Sequence, residues 1–296
     1  MSIVSRINNL DLPYKYQANV SFAHNSWFGV GGLCDILFKT GDVKELSEFV
    51  SRIPHDIKVL PIGVTSNLLV RDKGFNGIII KLKFLEMSLI DDYTIKVGSS
   101  ILDANVAKFA AENGISGFEF LYTIPGTIGG AISMNAGCYN SELSDIFISA
   151  IGVNRFSGEM KSFSKNEMGF SYRNSDVKDV IWVSAVLQGD RLKSKKEIYE
   201  TMDEFHAQRL DSQPKSCKTG GSTFCNPEGH RAWKLIDDVG LRGYRIGGAC
   251  FSNKHCNFII NDQSAKAQDI IDLIELAEKR VFEKFGIRLH REIVII

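Results

Sequence analysis

Apolar and polar positions along this chain follow two rhythms that alternate. Short apolar runs bounded by turn residues predict strands, and apolar residues three or four apart predict helices. Residues 34–39 (CDILFK) read as a strand. Asp42, with Glu45 three residues on, predicts a capped helix to about Ile53. Strands are expected at Ile57–Pro61 and Ile78–Lys83, completing an α/β unit. A second unit follows: a strand or hairpin over Ser88–Val97, then a helix over Ile101–Asn113 with Gly114 as its C-terminal cap. A glycine-rich stretch runs to Gly137, and strands near Phe147–Phe156 and Val180–Gln188 close the unit.

Beyond the charged segment Arg191–Glu197, helices are expected near Ile198–Arg209 and Gly229–Val239, with a strand at Cys256–Ile260. One long helix should start with Ser264 as its cap and end at Gly286. Ala267, Ile270, Ile271, Ile274, Ala277, Val281 and Phe285 would form its apolar face. A last strand is expected over Glu292–Ile296. The pattern divides into residues 1–195, two α/β subdomains split near 84, and residues 196–296. The strand at 289–296 is a candidate to return to the first domain. A chain of 296 residues is long enough for both cores.

Charge sharpens this picture. The 35 basic and 35 acidic residues cancel, which argues against a general nucleic-acid binder. Residues 1–150 hold 12 basic and 15 acidic groups, and residues 151–296 hold 23 and 20. Between His206 and Cys256 eight Lys/Arg face four Asp/Glu, so that segment suits a small anion. Arg242, Arg245, Lys254 and His255 are its candidate phosphate partners, each weighed against an ordinary solvated surface role. The six cysteines form no C-x-x-C pair, so no metal site or redox dithiol is expected, only reduced thiols. The N-terminal stretch lacks a signal-peptide core, and no apolar run reaches the ~18 residues of a membrane span. A cytoplasmic protein with no membrane partner is expected.

Two loops carry candidate chemistry. Pro61-Ile62-Gly63-Val64-Thr65-Ser66-Asn67 follows a strand, and Pro125-Gly126-Thr127-Ile128-Gly129-Gly130-Ala131 leads to Met134-Asn135-Ala136-Gly137. Glycine lets backbone N–H groups approach a diphosphate closely. Neither loop matches a Walker A or a G-x-G-x-x-G fingerprint, and each alone reads as a structural turn. One such loop in each α/β unit raises the case for a bound dinucleotide.

Together with Asn25-Ser26-Trp27-Phe28-Gly29-Val30-Gly31-Gly32 and Ser66-Asn67-Leu68-Leu69-Val70, the PGTIGGAISMNAG run resembles the UDP-N-acetylenolpyruvoylglucosamine reductase family. The resemblance continues through Tyr172-Arg173-Asn174-Ser175 and Gly220-Gly221-Ser222-Thr223-Phe224 to Glu292, over nearly the whole chain. It implies an α+β fold: a two-part FAD-binding domain of the vanillyl-alcohol-oxidase (PCMH) type, then a smaller α+β substrate domain. It also implies a monomeric cytoplasmic enzyme that takes hydride from NADPH, through FAD, to UDP-N-acetylglucosamine enolpyruvate.

By the resemblance, Arg173, Ser222 and Glu292 are catalytic. A guanidinium can grip a carboxylate with two parallel bonds. A held hydroxyl can protonate an enolate carbon, which is a strong base. Glu292 supports the carboxylate site with Arg173, and strand alternation turns it away from Arg291. Gly63, Thr65, Ser66, Asn67, Gly126, Thr127, Gly129, Gly130 and Asn135 are implied FAD contacts. Arg209, Gln213 and Asn226 are implied contacts for the nucleotide sugar.

The chain departs from the family pattern in places. Thr65 stands where glycine is common; a β-branched residue resists positive φ, so a negative φ is expected there. Cys225 replaces a common Lys, and Val294 a basic residue. Only 49 positions separate Arg173 from Ser222, as in the family form without an extra tyrosine-bearing loop. These departures bear on substrate affinity more than on reaction type. The rival readings are a flavin oxidase of the same superfamily and a colourless nucleotide-sugar binding module.

Overall fold

A computed structural model describes residues 2–190 and 192–296. Arg191, first residue of the expected boundary segment, lies outside the described residues. The rest of that segment runs into a helix, Lys195–Ser212. The compact units interleave along the chain, where a single cut after 195 was expected. One comprises Met1–Ala18, Asp35–Gly63 and Gly77–Arg209; the other comprises Asn19–Cys34, Val64–Asn76 and Leu210–Ile296.

The first unit has two cores. One is built on a four-stranded sheet in the order Tyr16–Ser21, Leu33–Thr40, Phe75–Leu82, Val59–Ile62. The Val43–Arg52 helix buries Leu46, Phe49 and Val50, and Phe49 stacks on Phe38 with centroids 3.8 Å apart. Asp42 caps this helix, accepting from the amides of Lys44 and Glu45 at 2.7 and 3.1 Å. The expected reciprocal bond does not form: the Glu45 carboxylate takes the Thr40 hydroxyl, and Thr40 accepts from the Asp42 amide. Val59–Ile62 pairs parallel to Phe75–Leu82, so Gly63 sits at a strand's C-terminal end.

The second core lies on a five-stranded antiparallel sheet. Its order is Met160–Ser164, Phe147–Asn154, Val180–Gln188, Thr94–Gly98, Met87–Leu89. The last two strands form the hairpin anticipated over Ser88–Val97. The Asp103–Glu112 helix ends at Gly114, whose φ of 72° matches its expected role. The Ile128–Met134 helix lies against the Val180–Gln188 and Thr94–Gly98 strands.

In the second unit Phe28, Val30 and Leu69 join Phe224, Leu235, Ile236 and Phe251 around the Ala267–Phe285 helix. Shared burial is why the early segments 19–34 and 64–76 belong here. The helix buries Ala267, Ile270, Ile271, Leu273, Ile274, Ala277 and Val281, but Phe285 is 37% exposed, beside Lys284. Ser264 is not its cap; it turns into a left-handed conformation at φ 56°. Lys266 takes the N-cap position, and the amides of Ala267 and Gln268 donate to Asp72 at 2.8 and 2.9 Å. No local sequence pattern announces a cap 195 residues away. Gly286 ends the helix with φ 69°. The other strands are shorter than expected, Ile259–Asn261 and Val294–Ile295, and the latter pairs parallel to Leu68–Leu69.

Asp72→Ala should lower the unfolding free energy by about 1–2 kcal/mol, the usual size of a lost N-terminal cap with its charge. Asp72→Asn, which keeps one acceptor oxygen, should recover about half of that. Urea unfolding of the three proteins measures the difference.

Candidate active site

In the first unit the two glycine segments meet. A Cβ on Gly63 would stand 2.4 Å from Thr127 Oγ1, one on Gly126 2.5 Å from Asp103 Oδ2, and one on Gly129 3.2 Å from Ser99 Cβ. The side chains of Thr127, Asp103 and Ser99 fill the space where a methyl group would stand. The amides of Gly126, Ile128 and Gly129 donate to the carbonyls of Ile124, Ile101 and Ser99. Those three amides are therefore engaged within the protein. The amides of Thr127 and Gly130 make no such bond, and Gly130 is exposed.

Arg173 sits at the tip of a tight turn in which Ser171 and Asn174 exchange both backbone bonds, at 3.1 and 3.0 Å. Its φ is 57°, a conformation that favours glycine, so an arginine there is held at a cost of order 1 kcal/mol. The guanidinium donates to the Gly137 carbonyl at 2.5 Å and lies over the Tyr172 ring. Asn135 ties this turn to the glycine run: Nδ2 donates to Ser171 O at 3.1 Å, and Oδ1 accepts from Ser144 N at 2.9 Å. Asn135 is fully buried, and its side chain acts as a strut between these loops.

The second unit gathers the remaining candidates. Thr65 has φ 60°, against the expected negative value; its hydroxyl lies 2.8 Å from Asn25 O and 2.6 Å from Val64 O, which anchors the strained residue. Asn67 Nδ2 donates to Glu292 O at 2.9 Å, and Val294 N donates to Asn67 O at 3.0 Å. Glu292 N donates to Thr223 O at 2.9 Å, so Glu292 lies beside the extended Ser222–Phe224 segment. Arg291 is engaged elsewhere, by a two-bond pair with Glu278 at 2.6 and 2.7 Å. The Phe28 ring fills the space a Gly220 side chain would need, at 2.3 Å. That contact explains the coupling of the Asn25–Gly32 motif to the Ser222 turn.

A model of the reductase's C-terminal domain, described as "UDP-N-acetylenolpyruvoylglucosamine reductase, C-terminal domain", matches residues 213–296, and an FAD binding domain model matches residues 34–161. The UDP-N-acetylenolpyruvoylglucosamine reductase of Rickettsia akari is 44% identical over 285 residues, 95% of this chain and 96% of that one. This chain belongs to the UDP-N-acetylenolpyruvoylglucosamine reductase family. The Rickettsia bellii RML369-C enzyme of that name is 43% identical over 94% of this chain and 93% of its own. The crystal structure of the Thermus caldophilus enzyme superposes with a TM-score of 0.82 at 32% identity, covering 95% of this chain and 99% of that one. The chain is thus an oxidoreductase of α+β fold, with an FAD-binding domain and the family's C-terminal domain.

Within this reductase fold the basic segment spends much of its charge internally. Arg242 pairs with Asp237 at 2.9 and 2.5 Å, Arg245 with Asp262 at 2.7 and 2.9 Å, and Lys254 donates to Leu210 O at 2.7 Å. Three of the candidate phosphate partners are therefore already engaged. Burial pushes His255 below its ordinary pKa, which keeps it neutral. Arg209 lies in the first unit, bonded to Thr123 O, while Gln213 and Asn226 lie in the second. Asn226 Oδ1 accepts from Ala232 N at 3.0 Å and so steadies the Ala232–Asp238 helix.

Sequence reading missed Asp103, which opens the Asp103–Glu112 helix behind Gly126. It is fully buried, and neither carboxylate oxygen has a hydrogen-bond partner. Desolvation raises its pKa well above the usual carboxylate range, which favours the protonated form. Unfolded Asp ionises above about pH 4. The folded state therefore holds one proton more, and stability falls as pH rises from about 4 towards the folded pKa. Asp103→Asn removes that dependence. Urea unfolding from pH 4 to 7 should show wild type losing ground to the variant by up to ~1.4 kcal/mol per pH unit. Parallel curves would mean that Asp103 is ionised in the fold.

Proposed function

We propose that this reductase converts UDP-N-acetylglucosamine enolpyruvate to UDP-N-acetylmuramate in peptidoglycan precursor synthesis, with FAD bound and NADPH as hydride donor. The observation that carries the reading is the 2.9 Å bond from Glu292 N to Thr223 O, which sets two of the family's three catalytic motifs side by side. The packed glycines and the two backbone amides of Thr127 and Gly130 fit an approaching diphosphate. Gly63, Ser66, Asn67 and the backbone of Thr65 are assigned to the same cofactor. Bound FAD would supply a hydride relay from NADPH to the enolpyruvyl carbon.

Adding hydride to an enol ether that bears a carboxylate leaves enolate-like charge. Arg173 holds that carboxylate with its fork and stays charged throughout. Its strained turn fixes the side chain before substrate arrives, so little ordering is left to do on binding. Glu292 supports the same end of the substrate. Ser222 donates its hydroxyl proton to the enolate carbon. Gln213 and Asn226 face the nucleotide sugar. We assign the enzyme to the cytoplasm as a monomer, because nucleotide sugar and NADPH are both at hand there. Among the described residues, no helix is long and apolar enough to cross a membrane.

Purified protein should show the visible absorbance of a flavin, or take up added FAD. A colourless chain that takes up none overturns the reading. In stopped-flow, Ser222→Ala should leave flavin reduction by NADPH near normal. Reoxidation by the enolpyruvyl substrate should slow by ~10²–10⁴-fold, or roughly 3–5 kcal/mol of barrier. Ser222→Cys should retain more activity than alanine. Arg173→Lys keeps the charge and loses the fork, so it should slow the same second stage; slowing of both stages would make Arg173 an NADPH-binding or structural residue.

A further inference from the structure

We infer that Asn257 is a positioning residue that clamps the backbone carrying Ser222 and, through it, Glu292. The inference rests on the reading of Ser222 as proton donor. Asn257 is 4% exposed. Its Oδ1 accepts from Phe224 N at 3.0 Å, its Nδ2 donates to Phe224 O at 2.8 Å, and its own carbonyl accepts from Thr223 N at 2.7 Å. The other edge of Thr223 is the carbonyl that accepts from Glu292 N. One residue, through its side chain at Phe224 and its carbonyl at Thr223, thus holds the segment on which both groups depend.

On the other side of Ser222, Gly220 is packed against the Phe28 ring. Gly221 has φ 79° and no atom within 4 Å of where a Cβ would stand. The clamp acts on the C-terminal side of the serine, and Ser222 itself pairs with Phe258. Asn257 is itself held: its amide donates to His255 Nδ1 at 3.3 Å, and His255 packs edge-on against Phe258. Clamping both the N–H and the C=O of one residue needs a donor and an acceptor on a short side chain. Asn supplies both, and ionised Asp lacks the donor.

Protonated Asp regains that donor, which gives a specific test. Asn257→Asp should reoxidise reduced flavin with the enolpyruvyl substrate about 10–100-fold slower than wild type at pH 8, since misplacement of about 1 Å has costs of that order. The ratio to wild type should recover as pH falls towards 5. Flavin reduction by NADPH should stay within about twofold of wild type at both pH values, and the solvent deuterium isotope effect on reoxidation should rise at pH 8, where proton transfer becomes limiting. Asn257→Ser should slow reoxidation similarly, with no recovery at low pH. A pH-independent ratio near one for Asn257→Asp overturns the inference, as does equal slowing of both stages. Loss of FAD from both variants at both pH values also overturns it and makes Asn257 a folding residue. Ser222→Ala is measured alongside. If it reoxidises normally, the proton-donor reading fails and the inference with it; if it is slow while both Asn257 variants are normal, only the inference fails.

Discussion

The last seven residues are bonded along both edges, and the second unit's chemistry depends on that. On one edge Cys225 N donates to His290 O, and Glu292 N donates to Thr223 O. On the other, Asn67 Nδ2 donates to Glu292 O, Val294 N to Asn67 O, Ile296 N to Leu69 O, and Arg71 N to Ile296 O. A segment with few side chains in the core is fixed by backbone bonds from two distant parts of the chain. Each bond contributes only about 1 kcal/mol net, but a buried group left without its partner costs more. Glu292 is therefore set in register with both the Thr65–Asn67 loop and the Ser222–Phe224 segment.

Three residues of the loops that carry the candidate chemistry stand in the left-handed conformation. Thr65, Asn135 and Arg173 have φ of 60°, 43° and 57°. Asparagine tolerates that conformation well, while threonine and arginine do not. Each is held by identifiable bonds: the Thr65 hydroxyl at the Asn25 carbonyl, the Arg173 guanidinium at Gly137, and Asn135 between Ser171 and Ser144. Such strain persists where surrounding contacts over-determine it, and it leaves a side chain pre-arranged for binding.

Charge follows the same economy. The excess of cations between His206 and Cys256 suggests an open anion surface, yet Arg242 and Arg245 meet carboxylates in fork geometry. These pairs are largely exposed and contribute little stability. Their effect is to withdraw cations from general attraction, so a diphosphate depends more on backbone amides and on the remaining basic groups.

The sequence by itself determined the local elements and the family. Periodicity located the Val43–Arg52, Asp103–Glu112 and Ala267–Phe285 helices, because burial of one face leaves its mark every three or four residues. The motifs around Arg173, Ser222 and Glu292 carry the resemblance on which the proposed chemistry rests. Tertiary structure alone decided what those motifs touch. The Asp72 cap, the Asn257 clamp, the double-edged C-terminal strand and the orphaned Asp103 all join residues tens to hundreds of positions apart, or bury a group whose neighbours no local pattern reveals. Left-handed Thr65 and Arg173 belong with them: propensity argues against each, and only bonds from remote chain segments outweigh it.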